Sequence, residues 1–307
     1  MKSRVLTKHL KYHLLAFVTV VAWAVSFINT RVLLDAGVLP IELYVYRFII
    51  SYVCLLACCR FRVHIAPWRD ELRMAVLGAM GGSAYFIAQN VALQHTLVSN
   101  VAILVDTNPL FTILLAAVFL REERLTWPKV VGSVVAFAGV ALITFRGGFV
   151  WGDGLLGDLL ALLGAFVWAI YTVVLKRINN RYSTMVITRK TFFYGIVTAI
   201  PFMLWEGHPT PLSTWLRPDV LGHLLYLSLV CSMAAFFAWG IVTKGVGPIA
   251  ANNYLYLGPA ISMLVAAIAF GERVGALGLL ACVLILAGVI VVERQHLEPN
   301  LKCTENK

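Results

Sequence analysis

The sequence predicts an all-α polytopic membrane protein whose ten transmembrane helices form two inverted five-helix repeats. Of its 307 residues, 60% are hydrophobic and 13% are charged, about half the charged fraction of a soluble domain. The apolar residues fall into ten stretches of membrane-spanning length. The stretch at 108–117 returns 150 residues later at 258–267, with a proline, a leucine and two alanines in identical register.

The spans follow from length, because a membrane helix needs about 20 apolar residues to cross a core of roughly 30 Å. We place them at residues 12–34, 41–60, 72–93, 97–120, 127–146, 155–177, 184–205, 219–241, 248–270 and 274–293. The connections are short, so residues 1–307 are predicted to be a single transmembrane domain. A cleaved signal peptide is the alternative for the first span, but its apolar run continues to Leu34, which favours an uncleaved helix.

Lysine and arginine are distributed unevenly between the predicted loops. With the N-terminus inside, eighteen of them lie on the cytoplasmic side, and Arg146, Arg217 and Arg273 lie on the other side. Basic residues accumulate in the cytoplasmic loops of membrane proteins. The distribution therefore predicts that both termini are cytoplasmic and that residues 294–307 form a short cytoplasmic tail.

The two repeats are predicted to cross the membrane in opposite directions. Pro109 lies in the fourth span and Pro259 in the ninth, and an offset of five spans reverses the orientation. Trp23 in the first span likewise returns as Trp168 in the sixth. Inverted repeats of this kind place a substrate cavity near the middle of the membrane. We assign the repeats to residues 11–146 and 153–293.

These features together resemble the EamA-type branch of the drug/metabolite transporter superfamily, over about residues 11–293. The resemblance is carried by Trp23 and Asn29, by Arg47, and by a proline, a glutamate and an Ala-Gly-Val sequence that follow one another in both halves. One departure is Asp106, where family members usually have an uncharged residue.

The resemblance implies a secondary transporter that works by alternating access. It implies an exporter of a small polar metabolite, such as an amino acid or a derivative, in the bacterial inner membrane. The implied partners are a small-molecule substrate and the lipid bilayer, and no cofactor or metal is implied. A monomer and a homodimer are both compatible with the sequence.

Two ionisable residues inside the predicted spans are the first candidates for substrate contacts. A charge within the membrane costs about 2.5–3.5 kcal/mol on insertion scales, so it is expected to face a polar cavity or a partner. Arg47 either attracts a substrate carboxylate, or pairs with Asp106, or snorkels to the outer surface. Asp106 either binds a substrate amine or a proton, or neutralises Arg47, or caps the backbone that Pro109 disrupts.

Aromatic and amide side chains in the middle of several spans complete the candidate site. Tyr85 and Gln89 are four residues apart, as are Asn252 and Tyr256, so each pair shares a helix face. Such faces are predicted to line a cavity for an amphipathic metabolite. The alternatives are interhelical hydrogen bonds and interfacial aromatic belts, and snorkelling for a basic side chain near a helix end. The remaining candidates are Trp23, Asn29, Trp168, Tyr171, Arg189 and Trp239.

Other classes of function are disfavoured. The net charge of +10 is divided among short clusters and forms no contiguous basic face for nucleic acid. The sequence has no Gly-x4-Gly-Lys-Ser/Thr loop for ATP, and its six cysteines lack the Cys-x2-Cys spacing of a metal or redox site. A polytopic membrane enzyme and a non-transporting membrane protein remain as alternatives, but no clustered nucleophile or metal-ligand set supports the first.

Reporter fusions test the predicted topology. Because the basic loops are expected inside, fusions after Arg62, Lys129 and Arg181 should report the cytoplasm, and fusions after Gly37, Gly152 and Pro211 the opposite side. A cytoplasmic signal at Gly152 would contradict the inverted repeat, since the first half would then contain an even number of spans.

Overall fold

The computed structural model of the chain describes residues 2–58, 65–96, 101, 104–120, 126–144, 154–207, 209–258, 260–261 and 276–305, and these contain helices and no strand. In the first half, α1 is Lys2–Asp35, α2 is Pro40–Cys58, α3 runs through Trp68–Gly78, Ala79–Ala84 and Tyr85–His95, α4 is Asn108–Phe119, and α5 is Trp127–Thr144. In the second half, α6 is Leu155–Asn179, α7 is Thr184–Trp205, α8 runs through Pro218–Tyr226, Leu227–Ala234 and Ala235–Val246, α9 is Pro248–Asn253 with a 3₁₀ turn at Tyr254–Tyr256, and α10 is Ala276–Glu305. A single turn, Leu212–Trp215, precedes α8.

Within this part of the chain, three helices are long and apolar enough to cross a membrane: Pro40–Cys58, Leu155–Asn179 and Pro218–Val246. Shorter apolar helices occur at Leu10–Ser26, Asn108–Phe119, Trp127–Leu142 and Ala276–Val292. Large aliphatic side chains also cover the outer faces of the helices; Val283 is 61% exposed and Leu279 is 58% exposed. A surface of this kind suits lipid rather than water.

The helices pack in pairs that relate the two halves of the chain. Helix α2 packs against α7, α4 against α9, and α5 against α10, so each of these helices contacts the one five positions later. Helix α1 packs against α8, and α3 packs against α6. Replacing every helix by its counterpart five positions away converts the α1–α8 contact into the α6–α3 contact. The packing therefore has the symmetry that a two-fold axis between the halves would produce.

Glycines of the repeated Ala-Gly-Val sequence hold α5 and α10 together. A methyl group added to Gly288 would lie 2.4 Å from the carbonyl oxygen of Gly132, and one added to Gly139 would lie 2.8 Å from the carbonyl oxygen of Ala281. Small residues at such positions let the backbones of membrane helices approach closely. Gly78 and Gly82 allow a similar close approach of α3 and α7 at Gly195.

Helices α3 and α8 each contain a π-helical segment, and the two segments occupy corresponding positions in the halves. They are Ala79–Ala84 and Leu227–Ala234, separated by the same interval of roughly 150 residues as the two repeated prolines. A π segment disturbs the regular hydrogen-bond ladder, and such segments are frequent at functional sites. The pair of segments therefore indicates where the centre of the molecule departs from ordinary helix packing.

The fourth predicted span, 97–120, is interrupted by a turn before Pro109, the proline that the sequence predicts to disrupt the backbone. Asp106 and Thr107 form a turn, and α4 begins at Asn108 with Pro109 in its first turn. A proline cannot bond the carbonyl group four residues earlier, here that of Val105. The side-chain amide of Asn108 donates to this oxygen instead, at 3.1 Å. The polar side chains around Pro109 thus satisfy the backbone that the proline leaves open.

A polar network at the beginning of α2 ties the first half to the second. The Glu206 carboxylate accepts hydrogen bonds from the backbone N–H groups of Ile41 (3.0 Å) and Glu42 (3.2 Å). The Glu42 carboxylate in turn accepts from the backbone N–H of Thr210 at 2.9 Å. Burial raises the pKa of Glu206, and the two backbone hydrogen bonds act in the opposite direction. We call this group the α2 network.

A second polar network lies at the beginning of α3 and again joins the halves. Asp70 pairs with Arg73 (2.5 Å) and accepts a hydrogen bond from the Tyr182 hydroxyl (2.9 Å). Glu71 pairs with Lys190 and accepts from the Tyr194 hydroxyl at 2.7 Å. The hydrogen bond from Tyr182 lowers the pKa of Asp70, and the ion pair with Arg73 adds to this effect. We call this group the α3 network.

The contact at Gly288 gives a direct test of the packing. Gly288→Ala is expected to destabilise the protein by about 1–3 kcal/mol, because the new methyl group meets the backbone of α5 and overpacking carries such a cost. Gly222→Ala is the matched control: nothing lies within 4 Å of a methyl group there, and alanine favours a helix over glycine by about 1 kcal/mol. Thermal unfolding in detergent should give a lower midpoint for Gly288→Ala than for Gly222→Ala. Equal midpoints would contradict the α5–α10 packing.

Candidate functional site

Aromatic rings from four helices meet in the centre of the molecule. Trp23 of α1 contacts Trp168 of α6 and Trp239 of α8, with ring centroids 5.7 and 5.1 Å apart. Trp168 in turn contacts Tyr85 of α3 at 4.9 Å and Tyr171 at 5.0 Å. Five of the candidate residues chosen from the sequence therefore form one connected cluster. The rings contact one another in this conformation, and the substrate cavity between the helices stays a prediction.

Arg47 lies beside this cluster and is buried, with 5% of its surface exposed. Its Nε atom donates a hydrogen bond to Ser232 Oγ at 2.5 Å, and its guanidinium carbon lies 5.2 Å from the ring centroid of Phe86. Arg47 forms no ion pair with Asp106 and does not reach the surface, which leaves two of the three sequence-based alternatives without structural support. A buried guanidinium held by one hydroxyl and by ring faces retains donors for an anion.

The π segment of α8 provides hydrogen-bond acceptors for side chains of α1 and α2 in this part of the site. The indole N–H of Trp23 donates to the carbonyl oxygen of Cys231 at 2.8 Å. The hydroxyl of Ser51, one turn after Arg47 on α2, donates to the carbonyl oxygen of Ser228 at 2.7 Å. Together with Ser232, these groups tie α1 and α2 to one short irregular segment.

Asp106 lies in the turn that precedes α4. The Tyr85 phenol interacts electrostatically with both Asp106 and Arg47, and the phenol of Tyr256 also interacts with Asp106. Within the described residues the Asp106 carboxyl has no hydrogen-bond or ion-pair partner, and the neighbouring Thr107 and Asn108 side chains donate to the interrupted backbone. A carboxyl and a guanidinium therefore share one phenolic neighbour without neutralising each other.

Several polar atoms around this centre are buried and have no hydrogen-bond partner among the described residues. Those in candidate residues are Gln89 Oε1, Trp168 Nε1, Trp239 Nε1 and Tyr256 Oη. Leaving a buried donor or acceptor unpaired costs about 1–3 kcal/mol. Such atoms call for a specific explanation in a native structure, and a site that receives a polar ligand is one.

Three further candidate residues are not members of the ring cluster. Asn29 bonds His223 at 2.6 Å, and the Asn252 amide donates to Thr112 Oγ1 at 2.5 Å. These are the interhelical hydrogen bonds that were the alternative for such residues. Arg189 lies in the second turn of α7 and is only 3% exposed, so it does not snorkel.

A cleft of about 350 Å³ lies beside the aromatic cluster, between α3, α6 and α7. Its lining is apolar except for Ser83 and Thr198, whose hydroxyls bond each other at 2.8 Å. Neither Arg47 nor Asp106 lines it. The chemistry of the candidate site therefore lies in the packed centre rather than in this cleft.

Sequence reasoning missed Ser232, Phe86 and Phe236. Phe86 and Phe236 are 150 residues apart, the same interval as the two prolines of the repeat. Extending the repeat alignment from the prolines into α3 and α8 would have selected both rings. Nothing in the sequence marks Ser232 as the partner of Arg47, because the pairing depends on the π segment in which Ser232 lies.

Comparisons with known proteins agree with this architecture. The model of the EamA-like transporter family matches the chain twice, over residues 10–145 and 155–294. The chain therefore belongs to the EamA-like transporter family, and it is a multi-pass membrane protein of the transporter class.

Individual relatives cover almost the whole chain. An uncharacterized transporter of Archaeoglobus fulgidus is 30% identical over 93% of this chain and 99% of its own length. A Streptantibioticus cattleyicolor protein named "Probable terminal-alkyne amino-acid exporter" is 31% identical over 91% and 92% of the two chains. The inner membrane transporter YedA of Escherichia coli K12 is 27% identical over 92% and 91%. A crystal structure with 22% identity and a TM-score of 0.75 covers 93% of this chain and 98% of its own, and it supports the fold.

Proposed function

We propose that this protein is a secondary transporter that exports a small zwitterionic metabolite, such as an amino acid or a derivative. The observation that carries the proposal is that Arg47 and Asp106 both interact electrostatically with the Tyr85 phenol but, among the described residues, do not pair with each other. An amino acid offers a carboxylate to the guanidinium and an ammonium group to the carboxyl. The printed name of the Streptantibioticus cattleyicolor relative, an amino-acid exporter, supports this class of substrate.

We further propose ten spans in two inverted repeats, with both termini in the cytoplasm of a bacterium. The symmetric packing of the helices and the two family matches support the repeat. The distribution of basic residues supports the orientation, and the likeness to YedA supports the inner membrane. In this arrangement the α3 network faces the cytoplasm and the α2 network faces the opposite side.

The positions of these two networks support the proposal of alternating access. Each joins the first half to the second at one end of the molecule, and the aromatic cluster lies between them. Opening one network while the other stays closed exposes the centre to one side at a time. The irregular backbone before α4 contains Asp106, and the 3₁₀ turn of α9 contains Tyr256. A change of backbone conformation at these two places breaks few regular hydrogen bonds.

Asp106 has two possible roles in this scheme. If export is coupled to protons, its carboxyl is the group that takes up a proton on one side and releases it on the other. If export is uncoupled, the carboxylate holds the substrate ammonium group. Both roles require a carboxyl without a permanent cationic partner, and Asp106 meets this requirement within the described part of the chain.

Two substitutions test the proposal in proteoliposomes with a ¹⁴C-labelled mixture of the protein amino acids. Arg47→Lys keeps the charge but loses the planar fork that binds a carboxylate in bidentate fashion, so counterflow is expected to fall at least about tenfold, the loss that corresponds to 1.4 kcal/mol. Arg177→Lys, at an exposed arginine near the end of α6, is the matched control and should transport normally. Normal counterflow by Arg47→Lys and by Arg47→Ala would refute carboxylate recognition by Arg47.

Asp106→Asn keeps the size and hydrogen bonding of the side chain but cannot ionise. Under proton coupling, uphill transport should vanish while counterflow survives; under ammonium binding, both should be lost. Asp219→Asn, at an exposed carboxylate paired with Arg217, is the control and should change neither. Wild-type rates for both processes in Asp106→Asn would show that Asp106 serves neither role.

A further inference from the structure

Arg189 is a second buried arginine, and the site described above does not use it. Its side chain is 3% exposed, and its Nε and Nη2 atoms have no hydrogen-bond partner among the described residues. The next residue, Lys190, has the structural role expected of a cation near a helix end, since it pairs with Glu71 of the α3 network. A charged group buried without a partner is costly, so its retention requires another explanation.

The two unpaired atoms of Arg189 define the kind of ligand it would bind. Nε and Nη2 lie on one edge of the planar guanidinium, and their two N–H groups point in nearly the same direction. This edge matches the two oxygens of a single carboxylate, which binds side-on through two parallel hydrogen bonds. An isolated hydroxyl or carbonyl oxygen would satisfy only one of the two donors.

The position of Arg189 places it on the opposite side of an aromatic layer from Arg47. The layer consists of Phe48, Phe192 and Phe236, with ring centroids 4.8 to 5.8 Å apart. Arg189 precedes Phe192 by three residues, about 4.5 Å along α7 toward its beginning. Arg47 bonds Ser232, which precedes Phe236 by one turn toward the beginning of α8.

The beginnings of α7 and α8 lie at opposite ends of the molecule. Helix α7 starts beside the α3 network, through Lys190, whereas α8 follows the segment containing Thr210 of the α2 network. The aromatic layer therefore separates a guanidinium on the side of the α3 network from a guanidinium on the side of the α2 network.

From this arrangement we propose that Arg189 forms a second carboxylate-binding subsite, on the cytoplasmic side of the layer of Phe48, Phe192 and Phe236. A substrate entering from the cytoplasm binds its carboxylate to Arg189 first and transfers it to Arg47 when the layer opens. The identity of the carboxylate as that of an amino acid rests on the proposed function. The presence of an anion subsite at Arg189 rests only on the burial, the unpaired edge and the position of this residue.

A labelling experiment tests the subsite without knowledge of the substrate. Met185 lies four residues before Arg189, one turn closer to the start of α7 and on the same helix face. Met185→Cys is made in a chain whose six native cysteines are replaced by alanine, and inside-out vesicles are treated with an anionic sulfonatoethyl or a cationic trimethylammonioethyl methanethiosulfonate. Adding Arg189→Gln is expected to lower the ratio of the anionic to the cationic rate about tenfold, from the interaction of unit charges roughly 6 Å apart in a watery path.

The control for this experiment is Arg177→Gln, which removes an exposed arginine near the end of α6 and should leave the ratio unchanged. A ratio that stays within twofold of the parent in Arg189→Gln would overturn the subsite. Absence of labelling at Met185→Cys in folded protein, judged by a single gel-filtration peak, would overturn it as well, because no route from the cytoplasm would then reach Arg189.

Arg189→Lys separates charge from side-on binding. It should keep the labelling ratio, because the charge remains, yet raise the half-saturating concentration of the labelled amino-acid mixture on the cytoplasmic side about tenfold, with the value on the other side unchanged. Unchanged values on both sides would refute carboxylate binding at Arg189. If Arg189→Gln changes the labelling ratio while the Arg47 and Asp106 substitutions leave transport unchanged, the proposed substrate is wrong and the anion subsite stands. If those substitutions impair transport while Arg189→Gln leaves the labelling ratio unchanged, only the anion subsite is refuted.

Discussion

Keeping the guanidinium of Arg47 buried within an apolar helical protein is the constraint on which the centre of this structure depends. Moving such a group out of water is costly unless hydrogen bonds and polarisable surfaces replace the lost hydration. Ser232 supplies a hydrogen bond, and Phe48 and Phe86 supply ring faces at 5.7 and 5.2 Å. Arg47 and Phe48 lie on α2, Phe86 lies on α3 and Ser232 lies on α8. These contacts therefore require the three helices to pack together around the guanidinium.

Irregular backbone makes this arrangement possible. In a membrane, backbone groups must be satisfied within the protein, so an interrupted helix is tolerated only where other groups take over its hydrogen bonds. The π segment of α8 presents the carbonyl oxygens of Ser228 and Cys231 to side chains from α2 and α1. The turn before Pro109 is capped by its own neighbours, which leaves the Asp106 carboxyl available. Both irregular segments therefore position groups that an ideal helix would not.

The sequence predicts the helical class and the repeat well, because both depend on patterns that survive without three-dimensional information. Apolar length identifies α2, α6 and α8, and the repeated prolines and Ala-Gly-Val sequences identify the repeat. The close packing of α5 on α10 at Gly288 and Gly132 appears only in the structure. The sequence also selects the five aromatic side chains that meet at the centre. The residue types suffice for this selection, because the indole N–H of a tryptophan in the middle of a span finds no hydrogen-bond acceptor in lipid.

Other features depend on geometry that no residue pattern encodes. The π segments are shifts in backbone register within ordinary apolar sequence, so the sequence does not predict that Ser232 accepts the hydrogen bond of Arg47. Asn252 and Tyr256 share a helix face, yet Asn252 bonds Thr112 whereas the Tyr256 hydroxyl stays unpaired. Whether Arg47 and Asp106 neutralise each other depends on the turn at Asp106, and the sequence permits either outcome.

In the proposed function, the Arg47 guanidinium and the Asp106 carboxyl, which share Tyr85 as a neighbour, recognise the two charges of one zwitterion. Competition in proteoliposomes measures this recognition, using an amino acid that the wild-type protein carries, its methyl ester and its N-acetyl derivative. The ester lacks the carboxylate that Arg47 would bind, and the N-acetyl compound lacks the ammonium group that Asp106 would hold. Each derivative is expected to compete at least about tenfold more weakly than the parent amino acid, because it loses one charge-assisted hydrogen-bonded contact. Equal competition by either derivative would contradict this recognition of both charges.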